Sequence, residues 1–111
     1  MEEVKKLKIR ISEEFLIDID DVYQYGIETF GIKQADKYEI EIWRIIENLT
    51  HNYLFFPECR YLHTKNKIYR WIILDAHVII YRITNSEIQI LRILHNRRSI
   101  ATIKSSTKIK L

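Results

Sequence analysis

Residues 67–95 read KIYRWIILDAHVIIYRITNSEIQILRILH, three runs rich in Ile, Val, Tyr and Trp, parted by two short polar breaks, Asp75-Ala76 and Asn85-Ser86. β-Branched and aromatic side chains suit a pleated surface, and two-residue breaks join consecutive strands as hairpins. The stretch predicts a three-stranded antiparallel meander over 67–74, 77–84 and 87–95. Such turns fix the register. Leu74 falls opposite His77, Ile73 opposite Val78 and Trp71 opposite Ile80; Ile79 falls opposite Arg92, Tyr81 opposite Ile90 and Ile83 opposite Ile88. One face collects Ile68, Arg70, Ile72, Leu74, His77, Ile79, Tyr81, Ile83, Ile88, Ile90, Arg92 and Leu94. The other collects Tyr69, Trp71, Ile73, Val78, Ile80, Arg82, Gln89, Leu91, Ile93 and His95.

Upstream, residues 4–11 alternate, with Leu7, Ile9 and Ile11 on one side and Lys6, Lys8 and Arg10 on the other. That pattern predicts a first strand with one wet face. Ser12 offers an N-cap, and Glu13 and Glu14 fall where the helix dipole favours acids. Phe15, Ile19, Val22, Tyr23, Ile27 and Phe30 then recur at helical spacing, and Gly31 suits the helix end. A second helix is expected over 32–49, its stripe Ala35, Tyr38, Ile42, Ile45, Ile46 and Leu49, its outer face Lys33, Lys37, Glu41, Arg44 and Glu47. The short connection at 30–32 folds the two helices into a hairpin. Residues 51–66 lack a period and hold the single Pro, Pro57, yet Tyr53, Leu54, Phe55, Phe56, Tyr61 and Leu62 make them too apolar for a solvated linker. An ordered loop against the core is expected. The fold class is therefore α+β, a helical hairpin packed on a small antiparallel sheet, in one domain over 1–98. Residues 99–111 form a polar, basic tail expected to be loosely held.

The hairpin can cover one sheet face only. A large apolar face left bare is rare in soluble monomers, so the other face needs the 51–66 loop, the tail, a second copy or a partner. The sequence leaves these four open.

Composition narrows the class. With 111 residues, 47% hydrophobic and 30% charged, the chain supports one modest core and is not of the disordered type. Its apolar runs are too short for a bilayer, and its N-terminal residues are charged and mixed. Cys59 is the single cysteine, so a reducing cytoplasm is the expected setting. The net charge is +3, and from Lys65 to Leu111 the acids are only Asp75 and Glu87, which makes the second half the basic contact half.

Specific residues sit on this order of elements. Ile19-Asp20-Asp21-Val22-Tyr23-Gln24-Tyr25 lies in the first helix, and Phe30-Gly31 precedes Ala35 and Tyr38. Leu49 and Pro57 to Arg60 follow, then Tyr69-Arg70, His77-Val78-Ile79-Ile80-Tyr81-Arg82 and Ile90-Leu91-Arg92-Ile93-Leu94-His95-Asn96-Arg97-Arg98. Over about residues 7–98 this pattern resembles the RelE/ParE superfamily of type II toxin–antitoxin toxins. The last run is similar to the closing strand of the ParE branch, with Asn96 where Gly or Gln is usual. The resemblance implies a toxin held inactive by a cognate antitoxin, in a homodimer or a toxin–antitoxin hetero-oligomer. ParE-type toxins poison DNA gyrase and serve plasmid stabilization. RelE-type toxins cut mRNA on the ribosome, the alternative target, and a degenerate toxin that only binds its antitoxin is a third reading.

Chemistry separates the branches. Metal-free RNA cleavage needs cations to offset charge on the phosphate, with an acid and a base beside them. In the resemblance those groups stand on the open sheet face. Here the matching positions are Trp71, Ile73 and Val78; a one-residue slip offers Arg70 and Ile72, and no Tyr or His follows Arg98. The nuclease constellation is missing, which favours ParE and no catalytic residues. His77 and His95 read first as ordinary hydrogen-bonding side chains and second as acid/base groups. His51 and His63 have no metal-ligand spacing, Cys59 has no base beside it, and neither metal nor cofactor is expected. The candidates for binding target or antitoxin are Arg70, Trp71, Arg82, Arg92, His95, Arg97 and Arg98. Arg70 and Arg92 read first as arginines satisfied within the fold and second as anchors for an antitoxin's acidic side chains, and Trp43, off the main stripe of its helix, reads first as half-buried core and second as contact patch.

Overall fold

A computed structural model describes residues 6–111. The chain runs β1 (Lys8–Ile11), α1 (Glu13–Phe30), α2 (Ile32–Asn52), β2 (Tyr69–Ile73), β3 (His77–Ile83), β4 (Glu87–His95) and α3 (Ile100–Ser105), closing on a 3-10 turn at Ser106–Lys108. The sheet order is β1-β4-β3-β2, with β2, β3 and β4 antiparallel and β1 added parallel to β4. The expected α+β hairpin-on-sheet architecture is present, and the sheet is mixed because its first strand joins the last. Residues 4 and 5 of the expected first strand lie outside the described residues.

Ser12 caps α1 through its side chain, which accepts from the Phe15 N–H at 2.9 Å. Gly31 ends the helix at φ 89°, a left-handed backbone open to glycine. The hairpin helices close tightly where Gly26 faces Ala35, since a Cβ on Gly26 would stand 3.3 Å from that of Ala35. The α2 stripe is as expected, with Ala35, Ile42, Ile46 and Leu49 buried and Tyr38 and Ile45 half-buried. The α1 stripe is only half used: Phe15 and Ile19 are buried, whereas Phe30 is 69% exposed. Trp43 is half-buried core, its ring edge-on to Phe15 at 5.6 Å.

The β2–β3 register is the expected one, but the β3–β4 register breaks between Ile80 and Tyr81. Leu91 is the extra residue of a β-bulge, so Arg92 pairs with Ile80 and Ile93 with Ile79. This corrects the pairing of Ile79 with Arg92. The parity of β4 flips beyond it: Ile93 joins the core under the helices and Leu94 the core on the opposite face. His95 becomes the partner of His77. The bulge sits where β1 runs out. Ile11 pairs with Ile90, the Ser12 N–H then donates to the Ile90 carbonyl, and the Ser12 hydroxyl donates to the Leu91 carbonyl at 2.6 Å. The start of α1 thus satisfies the backbone groups that a sheet neighbour would otherwise take.

Two cores result. The helices, β1 and one sheet face enclose Phe15, Ile42, Ile46, Leu49, Ile79, Tyr81, Ile88 and Ile90. On the other face Val78, Ile80, Leu91 and Leu94 are covered by Cys59 and Leu62 from the loop and by Ile103 and Ile109 from the C-terminal segment. Loop and tail together supply the cover that the sequence left open. Residues 99–111 are therefore packed rather than loosely held: Ser99 caps α3, Ile103 is buried, and Arg82 donates to the Ile109 carbonyl at 2.8 Å. The loop also guards the outer edge of β2, where the Cys59 N–H donates to the Tyr69 carbonyl and the Trp71 N–H to the Pro57 carbonyl. β2 starts later than expected because Lys67 turns at φ 53°.

Candidate functional site

The seven candidate residues do not converge. Arg70 is a staple of the fold: its Nη1 donates to the carbonyls of Leu54 and Phe56, both at 2.9 Å, and its Nε to that of Lys67. Trp71, beside it on β2, is half-buried and edge-on to Tyr61 at 6.0 Å. Arg82 donates to Gln89 Oε1 at 2.7 Å and to the Ile109 carbonyl, with its guanidinium 5.8 Å from the Tyr69 ring centre. Arg92 forms a fork with Asp18, Nε to Oδ2 at 2.7 Å and Nη2 to Oδ1 at 2.8 Å. The hydrogen bonds to Asp18 raise the Arg92 pKa further, so this cation is permanent. For Arg70 and Arg92 the geometry is that of arginines satisfied within the protein.

His95, Arg97 and Arg98 differ. All three are exposed at the end of β4 and in the turn that follows. The Arg97 N–H donates to His95 Nδ1 at 3.1 Å, and the Arg98 N–H to the His95 carbonyl, which fixes the turn while both guanidinium groups point to no described carboxylate. His95 and Arg98 border a shallow hollow shared with Asp21 and Tyr25 of α1. This turn presents two exposed guanidinium groups side by side, with its backbone tied to His95.

Behind His95 lies a group that sequence reasoning did not assemble. His77 is buried, 8% exposed, with its Nδ1 2.9 Å from the Tyr38 hydroxyl and its ring edge-on to His95 at 5.5 Å. Burial, then the neighbouring His95, pushes the His77 pKa below the ordinary imidazole value. Burial, then Asp75 and Glu41, pushes the Tyr38 phenol up to about 12. His77 is therefore a neutral, hydrogen-bonded core histidine near pH 7. Tyr38 and His77 line a cavity of about 390 Å³ between the hairpin and the start of β3. Asp18 also went unread. Its signal was its place on the apolar stripe between Phe15 and Val22, where a carboxylate must find a partner.

Chemically, the sheet offers no cluster of free cations among the described residues, since Arg70, Arg82 and Arg92 are each engaged internally. No group of three or more metal-ligating side chains stands together among them, and no helix is long and apolar enough to cross a membrane.

A comparison with curated proteins returns no match. Among solved structures the fold is similar to a chain described as the chromosomal ParDE toxin–antitoxin system from P. aeruginosa, with a TM-score of 0.68 and 21% identity over 81% of this chain and 96% of that one. The family model described as ParE toxin of the type II toxin–antitoxin system, parDE, matches residues 9–100. That match runs from β1 to the start of α3, and with it this chain belongs to the ParE toxin family of type II toxin–antitoxin systems.

Proposed function

We propose that the chain is a cytoplasmic toxin that inhibits DNA gyrase, neutralised by a cognate antitoxin, and that it is not a ribosome-dependent ribonuclease. The observation that carries this reading is the family match over 9–100. The site chemistry supports it: Arg70, Arg82 and Arg92 are tied to carbonyls, Gln89 and Asp18, so no cluster of free arginines stands on the sheet among the described residues to stabilise a pentacovalent phosphate. Arg97 and Arg98, exposed and without an ion pair among the described residues, suit an acidic protein surface or a DNA backbone.

The test is direct. Purified protein is added to gyrase with relaxed plasmid, and separately to translating ribosomes with a defined mRNA. Loss of supercoiling or trapped cleaved DNA, with intact mRNA, is the expected result. Ribosome-dependent cleavage with normal supercoiling would overturn the assignment. Co-expression with the product of the adjacent gene should restore growth.

A further inference from the structure

We infer that the cavity between the helical hairpin and the start of β3 is a binding site for a small organic cation with an aliphatic body, such as an alkylammonium. The proposal concerns a different surface from the exposed arginines and does not depend on the gyrase reading.

The cavity, about 390 Å³, is of ligand size. Val22 and Ile19 supply an aliphatic wall, and the rings of Tyr25, Phe30 and Tyr38 stand around it. Phe30 and Tyr25 are 69% and 59% exposed, so a guest would bury ring surface that now faces water. Tyrosine and phenylalanine faces carry the negative side of the ring quadrupole and attract cations. The charged groups in the lining have one sign. Glu39 and Asp75 are there, and no Lys or Arg is, in a chain with 18 Lys and Arg against 15 Asp and Glu. Neither carboxylate takes part in an ion pair or a side-chain hydrogen bond with the described residues. His77, neutral and tied to Tyr38, supplies no competing charge.

Other ligand classes fit less well. An anion or nucleic acid would meet two carboxylates. A bare divalent ion needs six or more oxygens, and no group of three ligating side chains exists among the described residues. A neutral apolar guest would gain nothing from the two carboxylates. An alkyl chain against Val22 and Ile19 would leave its ammonium to the carboxylates of Glu39 and Asp75 and the surrounding aromatic rings.

The experiment titrates the full chain with hexylammonium chloride, following the ring signals of Tyr38 and His95 by NMR, with 1-hexanol and ammonium chloride as the apolar-only and charge-only probes. Saturable binding of hexylammonium is expected, about tenfold tighter than either control. Glu39→Gln with Asp75→Asn should weaken it by a similar factor while leaving the melting temperature unchanged, because both positions are at least partly exposed. Hexanol binding as tightly as hexylammonium, binding unaltered in the double variant, or no saturable shift at all would each overturn the proposal.

Discussion

Asp18 on α1 holds Arg92 on β4 with two parallel hydrogen bonds of 2.7 and 2.8 Å, and one of its oxygens also accepts the Ile93 N–H at 3.1 Å. A single carboxylate thus fixes the helix against the free edge of β4 just beyond the bulge. Removing one partner of a buried pair costs about 3–5 kcal/mol, but the Arg92 side chain is 21% exposed and can recover some water. We expect Asp18→Ala to lower stability by about 2–3 kcal/mol in urea unfolding. Arg92→Lys should not preserve the wild-type value, because an ammonium cannot form the fork. A loss below about 0.5 kcal/mol for Asp18→Ala would mean that solvent already screens the pair.

Burial of His77, with His95 beside it, gives a pH dependence of known sign. The folded-state pKa of His77 lies below its ordinary value of 6.5. The unfolded chain therefore binds this proton more readily, and stability falls as pH drops from about 6.5 toward the depressed folded value. Above that window the contribution is complete. Urea midpoints between pH 8 and 5, on the order of the imidazole range, should decline in the wild type and decline less in His77→Gln. Parallel profiles would show that another group sets the slope.

The C-terminal segment is a structural cover, so cutting the chain after Arg98 should have a large effect. Ile103 and Ile109 are 6% and 7% exposed, over Val78, Ile80, Leu91 and Leu94. Burial of an isoleucine contributes about 1.5–3 kcal/mol. The shortened protein should bind a dye that reports apolar surface and should self-associate, whereas the full chain should do neither. Ile103→Ala alone should cost about 2–4 kcal/mol. A shortened chain that melts like the full one would show that the loop suffices.

Arg97→Ala with Arg98→Ala should weaken growth arrest without unfolding the domain. Both side chains are exposed and beyond the last strand, so the stability change should stay within about 0.5 kcal/mol. Growth curves and thermal melts of the same variant separate the two effects. Full toxicity in the double variant would move the contact surface elsewhere.

How far the sequence could be read depended on whether each signal was local. The meander, the hairpin, the Ser12 cap and the Gly31 stop were legible because periodicity and turn chemistry act over a few residues. The bulge at Leu91 was not, since the extra residue is imposed by the end of β1 and by Ser12 and Asp18 arriving from the other end of the chain. That one residue sent Ile93 and Leu94 to the wrong faces and hid the pairing of His77 with His95. The tail was misread for a related reason. Ile103 and Ile109 are sparse among polar residues, and only the apolar sheet face they meet makes them core. At the site, the alternatives for Arg70 and Arg92 were visible from charge on an apolar face, while their partners, two loop carbonyls and Asp18, were not.

The pairing of β1 with β4 also dictates an order of events during synthesis. Lys8 meets Glu87, and Ile11 meets Ile90, so the first strand leaves the ribosome long before its neighbour exists. The α1–α2 hairpin is built from nearby residues and can form at once, but its apolar stripe and β1 stay unsheltered until β4 emerges. Contacts of such long sequence separation fold slowly, and a half-made chain has neither the closed sheet nor the turn that mounts Arg97 and Arg98. The turn that carries Arg97 and Arg98 is therefore completed only after β4 has been made and can pair with β1.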